Sequence, residues 1–582
     1  MGRNGKQVST SAQFPCSYGG GKMKTYNSII AETFVQTLFL GGIRHIYISP
    51  GSRSTPLTLA FARNAEKFSS INMVYDERSA AFQALGCALA TGRPTVLVCT
   101  SGSAVANYFP AVAEASQSEI PMLILSADRP FELQDSGANQ TMNQKDIFGK
   151  FVKKFVEMPI ADNPQWLTEG KLRDFIRMKA AMGIAHSIQH PQGPVHFNFP
   201  FRKPLEPLKE EKTDEIKKKQ VQITMGHLSP SEDQINLAIR LISEAERPLM
   251  ILGPNAWRAI DMKIANRFSK IMGIPIISDI LSGRKITAHE IFLASKKVRE
   301  ALQPDLIIRI GKVPIGKQMG RFLEETEAVS IQISESLRLH DDHLKMHYFF
   351  NASPNIFFNK IIERVEPKPL GHWFKKVEEI NNVAKEQLKQ IIGRERIEGI
   401  IVGNLLNSLN ENNVVFLGNS LIVRHAMTYA IDCKAAIYGN RGVSGIDGNI
   451  STALGIAKGL QKEVVAIVGD LTFIHDLNAL SSKEKRKLTV IVLNNHGGGI
   501  FRRLPISKEK EFHQFFLTPH EFTFAKVADF FGMKYHKIES DIPSPETIRP
   551  NSLIEIITDS QKDNERQKQI IDNIAHLLEE RI

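Results

Sequence analysis

Cysteine is scarce in this chain of 582 residues: there are four, Cys16, Cys87, Cys99 and Cys433, and none stands in C-x-x-C spacing. That excludes a disulfide framework and a cysteine zinc site, and it fits a reducing cytoplasm, where the protein is expected to reside. Long apolar runs are also missing, since no stretch approaches the about 18 residues that a membrane span needs. The opening MGRNGKQVSTSAQFPCSYGGGKM is polar and glycine-rich, with no apolar segment of signal-peptide type. Residues 1–23 are therefore read as a disordered or non-native extension, with Met23 as an alternative start. Acidic charge is in deficit, with 62 Asp and Glu against 73 Lys and Arg, a net +11. The basic residues are spread over linkers and helix faces, which fits a solvated surface and anionic small substrates better than a nucleic-acid groove.

What is present is a globular composition, 42% hydrophobic and 23% charged. At about 150 residues per domain the length suggests three or four domains. Two linkers, LEPLKEEKTDEIKKKQ at 205–220 and EPKPLG at 366–371, divide the chain into 24–205, 206–366 and 367–582. Each part alternates short apolar strands with helical segments, the pattern of a doubly wound α/β domain on a parallel sheet. The middle part shows four such strands, Leu249–Leu252, Pro275–Ser278, Leu306–Ile310 and Val329–Ile333.

The chemistry concentrates between Val464 and Phe501. Two β-branched runs, Val464–Val468 and Leu488–Leu493, read as neighbouring parallel strands joined by a crossover with a helix from about Asp476 onward. Adjacent strands lie about 4.8 Å apart, so Asp470 and Asn495, at their carboxyl ends, can reach one cation. Magnesium takes hard oxygen ligands and leaves some positions to phosphate and water. Asp470, the Asn495 side chain and a carbonyl of the Gly497-Gly498-Gly499 turn meet that need, and glycines let backbone N–H groups approach a phosphate. The plainer alternative is an acidic strand end followed by an ordinary glycine turn.

Gly469-Asp470 followed by Asn494-Asn495 resembles the thiamine diphosphate motif, G-D-G and then N-N about 25 residues later. Leu471 replaces the third glycine. GDLTFIHDLNAL and NNHGGGIF are more specifically similar to the 2-succinyl-5-enolpyruvyl-6-hydroxy-3-cyclohexene-1-carboxylate synthases of menaquinone biosynthesis, which carry leucine there. The resemblance covers 25–582. It implies three α/β domains: pyrimidine-binding, central and diphosphate-binding. It also implies decarboxylation of 2-oxoglutarate and addition of the succinyl carbanion equivalent to isochorismate, with thiamine diphosphate and magnesium or manganese.

By that resemblance Glu77, which opens a helix after a short strand, is the catalytic glutamate on the cofactor's aminopyrimidine N1′, and burial is expected to raise its pKa. Asp470, Asn495 and Gly497 would hold the metal. Ser420, Gly445, Ile446, Gly469, Leu471, Gly498, Ile500 and Phe501 would line the cofactor, Ile446 keeping it bent. Arg53 in SPGSRST, Arg129, Asn139, Gln140, Lys317, Arg424 and Arg441 would face substrate, together with Ser420 and Phe501. A homodimer or a dimer of dimers is implied as well. The rivals are another thiamine diphosphate decarboxylase or acetolactate synthase, whose single-carboxylate substrate needs fewer cations, and a non-catalytic binding protein, which has no reason to keep Glu77, Asp470 and Asn495.

Other features carry less. Gly311–Lys317 is nearly a P-loop, but Gln318 replaces the metal-binding hydroxyl and Pro314 removes an N–H donor. His340, His343 and His347 sit in a charged stretch and read as solvated or structural. Ile570, Ile571, Ile574, Leu577 and Leu578 form an apolar helical stripe, read as core. An offset of 369 carries Ile46–Ile48 onto Val415–Leu417, Leu85-Gly86 onto Leu454-Gly455 and Thr100-Ser101 onto Gly469-Asp470, an echo that suggests two halves of one topology.

Overall fold

A computed structural model describes residues 25–160, 168–207, 222–481, 486–539, 541–544 and 546–580. The extension expected at 1–23 lies outside them. Three all-parallel sheets account for the strands of the described residues. The first holds β1 (His45–Ile48), β2 (Ser70–Met73), β3 (Thr95–Cys99), β4 (Met122–Asp128), β5 (Lys154–Glu157) and β6 (Pro194–Pro200). The second holds β7 (Pro248–Leu252), β8 (Ile276–Ser278), β9 (Leu306–Ile310), β10 (Val329–Ser334) and β11 (Met346–Asn351). The third holds β12 (Val414–Leu417), β13 (Ala436–Tyr438), β14 (Val464–Gly469), β15 (Leu488–Asn494), β16 (Lys534–Glu539) and β17 (Ser552–Ile557).

The central strands are apolar runs buried along their whole length, as helices on both faces require: β3, β4, β9 and β15 have no exposed residue. The second sheet has a fifth strand, β11, which carries His347 and has only Phe350 buried. As a partly exposed edge strand it lacks the apolar run by which the other four were recognised. Helix His372–Ile392, C-terminal to the EPKPLG linker, packs on the middle sheet, sharing one core with Leu249, Ile277 and Ile307. Ile570, Ile574 and Leu578 of the final helix, Ser560–Glu579, enter the same core, whereas Leu577 is 43% exposed and falls outside the stripe.

The first and third sheets share one strand order, β2-β1-β3-β4-β6-β5 and β13-β12-β14-β15-β17-β16, so the echo in the sequence is a duplicated topology. Their helices Glu77–Thr91 and Asn449–Leu460 pack face to face at the equivalent glycines. A Cβ on Gly86 would lie 2.0 Å from the Thr452 carbonyl oxygen, and one on Gly455 would lie 1.9 Å from that of Gln83. No side chain fits either place.

One expected element differs. The helix after β14 begins at Asp470 itself and ends at His475. Asp476 instead turns inward, where it is fully buried and accepts from the Ser451 amide and hydroxyl at 2.8 and 3.0 Å. It thereby satisfies an orphan donor at the start of helix Asn449–Leu460.

Candidate active site

The carboxyl ends of β12, β14 and β15 deliver Ser420, Asp470 and Asn495 to one edge of the third sheet. Asp470 is 2% exposed. Its Oδ1 accepts from the Leu471 amide at 2.7 Å and its Oδ2 from the Gly497 amide at 2.9 Å, with His520 Nε2 at 3.2 Å. Burial raises the Asp470 pKa, while the two amides and His520 oppose the rise.

Asn495 is fixed by a neighbour far away in sequence. Its Nδ2 donates to Glu398 Oε2 at 2.9 Å. Burial alone would raise the Glu398 pKa, but His425, whose Nε2 is 3.4 Å from Oε1, and the Asn495 amide hold this carboxylate below the usual range. An ionised carboxylate only accepts, so the Asn495 amide nitrogen must face it and the oxygen must point away. That Oδ1 is buried without a hydrogen-bond partner. A bare buried acceptor costs about 1–3 kcal/mol, and a hard divalent cation is the group that satisfies it beside a carboxylate. The donor set fits magnesium or manganese.

The glycine turn is shaped by packing. Gly497 has φ +142°, and a Cβ there would lie 2.3 Å from the Leu517 carbonyl oxygen. The Gly497, Gly498 and Gly499 amides are engaged by Asp470, Leu517 and the Gly497 carbonyl, which uses the N–H groups expected for phosphate. Open space lies instead at Gly469, where a Cβ would meet nothing within 4 Å. Leu471, Ile500 and Phe501 are half-buried around this edge, and Phe501 meets the Phe516 ring edge-on.

Ser420 has φ +68° and ψ −125°, a conformation rare outside glycine that costs on the order of 1–3 kcal/mol. Its carbonyl accepts from Arg424 Nη1 at 2.6 Å. Arg441 Nη1 donates to Asn419 Oδ1 at 2.8 Å, and Asn419 Nδ2 donates to the Gly445 carbonyl at 2.7 Å, next to half-buried Ile446. Burial lowers the pKa of both arginines, and the Arg424 charge lowers that of Arg441 further. Nearby carboxylates already have other partners: Asp279 accepts from the Ile315 amide and Glu290 from those of Gln318 and Met319. Glu290 thus occupies the place a phosphate has in a P-loop, and a Cβ on Gly316 would lie 1.9 Å from its Oε1. Lys317 is exposed beside it.

The remaining residues gather on the first sheet. Arg53 is 7% exposed, donates from Nη1 to the Phe201 carbonyl at 2.9 Å and leaves Nε without a partner. Arg129 donates to Ser101 Oγ and to the Asn139 carbonyl, both at 2.6 Å, and Gln140 Nε2 reaches the Ser101 carbonyl at 3.0 Å. Burial, and then the Arg129 charge, lower the Arg53 pKa. Glu77 opens its helix behind the Asp76 cap and is half-buried, not enclosed as expected.

Glu77 and Asp470 lie on different domains, Glu77 opening the helix after β2 and Asp470 the helix after β14. Direct bonds close the seam beside Glu77: Asn478 to Asp76 at 2.8 Å, Arg78 to the His475 carbonyl at 2.8 Å and Ser79 to Ser451 at 2.9 Å. Glu398, His425, His520, Glu290 and Asp279 carried no signal in sequence, since each reaches its partner across tens of residues without a period or motif.

Comparison with known proteins matches three family models to the chain. Residues 29–147 match the thiamine pyrophosphate enzyme N-terminal TPP binding domain, 250–417 the middle domain of thiamine pyrophosphate enzymes and 420–551 the C-terminal TPP binding domain. A 2-succinyl-5-enolpyruvyl-6-hydroxy-3-cyclohexene-1-carboxylate synthase of Bacillus cytotoxicus is 35% identical over 529 residues, 87% of this chain and 88% of its own. One of Roseiflexus castenholzii is 36% identical over 581 residues, 94% of this chain and 99% of its own. The solved benzoylformate decarboxylase of Polynucleobacter necessarius shares the fold at a TM-score of 0.68 and 16% identity, over 91% of this chain and 98% of that one.

Proposed function

This chain belongs to the 2-succinyl-5-enolpyruvyl-6-hydroxy-3-cyclohexene-1-carboxylate synthases, and from that premise we propose which of its residues carry each part of the reaction. The protein is a thiamine diphosphate-dependent transferase of menaquinone biosynthesis that releases CO2 from 2-oxoglutarate and joins the remaining succinyl unit to isochorismate. Thiamine diphosphate, when bound, supplies the electron sink for decarboxylation and carbon–carbon bond formation.

Asp470 and the Asn495 side-chain oxygen, with the Gly497 carbonyl, would hold the divalent cation, which would supply positive charge for the cofactor's diphosphate. The bare, buried Asn495 oxygen beside a buried carboxylate carries this reading. Ser420, Gly445, Ile446, Gly469, Leu471, Gly498, Ile500 and Phe501 surround the cofactor. Glu77 holds a proton at the aminopyrimidine N1′ nitrogen.

Both substrates are dicarboxylic, and the two arginine groups answer them. Arg53 and Arg129, with Asn139 and Gln140, form one anion-binding group, and Lys317, Arg424 and Arg441 form the other. An exposed ion pair is worth about 0–1 kcal/mol, whereas a charge-assisted bond in a closed pocket is worth about 1.5–3 kcal/mol. Burial of Arg53, Arg424 and Arg441 without full carboxylate pairing supports the second case. From the duplicated topology of the first and third sheets we assign the complete site to a homodimer or a dimer of dimers, with Glu77 from one chain and Asp470 from the other. Among the described residues no helix is long and apolar enough to cross a membrane, and we assign the enzyme to the cytoplasm.

The test is CO2 release from 2-oxoglutarate with and without isochorismate, in the presence of magnesium and thiamine diphosphate. Coupled product formation is expected. Release from pyruvate or benzoylformate that outpaces it would favour a different 2-oxo acid enzyme.

A further inference from the structure

Away from that edge, one other cluster has the composition of a metal site. His190, His227 and Glu335 each offer a ligand atom, and these atoms all lie within 4.8 Å of one another. The three come from separate segments. His190 follows helix Glu169–Ile188, His227 precedes helix Glu232–Glu244 and Glu335 follows β10. His227 Nδ1 is 3.2 and 3.3 Å from the two Glu335 oxygens, and His190 Nε2 is 3.8 Å from Oε2. The imidazole centroids are 6.2 Å apart.

Glu335 is the fixed member. Its side chain is 10% exposed and its Oε1 accepts from the Leu228 amide at 3.0 Å. The His190 and His227 side chains are 36% and 62% exposed. A tetrahedral zinc ion with bonds of about 2.0–2.2 Å sets its ligand atoms about 3.4 Å apart. The His227 pair already meets that spacing, and His190 needs a small rotation. Two imidazoles and one carboxylate select zinc and its borderline neighbours over magnesium, which takes oxygen donors. A cavity of about 380 Å³ lined by His190 and Glu335 leaves room for a water in a fourth position.

We propose that His190, His227 and Glu335 bind one zinc-class divalent ion, distinct from the magnesium site at Asp470, and that it staples the first domain to the middle sheet. His340, His343 and His347, which stood out in the sequence, do not form such a cluster among the described residues. The three actual members are too far apart in the chain to be noticed.

The test uses the full-length enzyme saturated with magnesium and thiamine diphosphate, so that the Asp470 site is filled. Zinc is titrated by calorimetry, cobalt by visible absorption, and melting temperature is followed with and without zinc. One equivalent per chain is expected, with a tetrahedral cobalt spectrum and a rise in melting temperature. His227→Ala and His190→Ala should each weaken zinc binding by at least about tenfold and abolish that rise, with CO2 release unchanged. Glu335→Gln, which keeps an acceptor for Leu228, guards against a folding artefact and should weaken zinc likewise. Equal zinc affinity in wild type and all three variants, or a cobalt spectrum that stays octahedral, would overturn the proposal.

Discussion

At Asn495 the side-chain amide has one orientation available, because Glu398 accepts its N–H and leaves the oxygen bare. Partners that orient a metal ligand typically change affinity by about 10–100-fold when removed. Asp470→Ala is therefore expected to abolish magnesium-dependent thiamine diphosphate binding in calorimetry. Glu398→Ala should weaken it by about 10–100-fold, with Glu398→Gln closer to wild type. Unchanged affinity in Asp470→Ala would remove the metal assignment. Asp476 makes a separate prediction. Burial lifts its pKa from 3.8 to about 7. The folded chain holds this proton more tightly than the unfolded one, so the contribution is fully present below pH about 4 and is lost as pH rises through about 7. Each unit in that window costs up to about 1.4 kcal/mol. Asp476→Asn keeps an acceptor for Ser451 and removes the titration, so its melting temperature should gain on wild type from pH about 4 to 7. A constant difference across that range would mean Asp476 titrates normally.

At the scale of elements, function sits on strand carboxyl ends and on the helices that follow them. Arg53 follows β1 and Arg129 follows β4, while Arg424 lies one turn into helix Leu421–Tyr429 after β12. Each is held by backbone carbonyls or neutral side chains, contacts that orient a guanidinium without cancelling its charge. Alanine at Arg53 or Arg441 should therefore raise KM or lower kcat, with little loss of melting temperature. A variant that melts much earlier yet keeps full activity would return that arginine to a structural role.

The whole molecule is two copies of one topology flanking a third domain, with Gly86 and Gly455 marking equivalent points where the copies touch. The two halves are joined beside Glu77 by bonds made within the chain. Closed twofold assembly is also the commonest form of oligomer. If each site takes Glu77 from one chain and Asp470 from the other, mixing inactive Glu77→Gln and Asp470→Ala subunits should restore activity, up to about a quarter of wild type per total site for random exchange. Dead mixtures despite demonstrated subunit exchange would place both residues in a single-chain cleft.

The sequence by itself determined what is local. Apolar β-branched runs bounded by glycine specify buried parallel strands, and β9 and β12 fall where those runs lie. Asp470 and Asn495 were legible for the same reason, since a strand end fixes where the next polar residue points. Edge strand β11 was not legible, because a strand partly open to water needs no apolar run. Nor was the inward turn of Asp476, which depends on an orphan amide in another helix. Only the tertiary structure decided which way the Asn495 amide faces and that Glu290 fills the loop resembling a P-loop. Each is set by contacts between residues tens to hundreds of positions apart, and such contacts leave no period, spacing or composition in the chain.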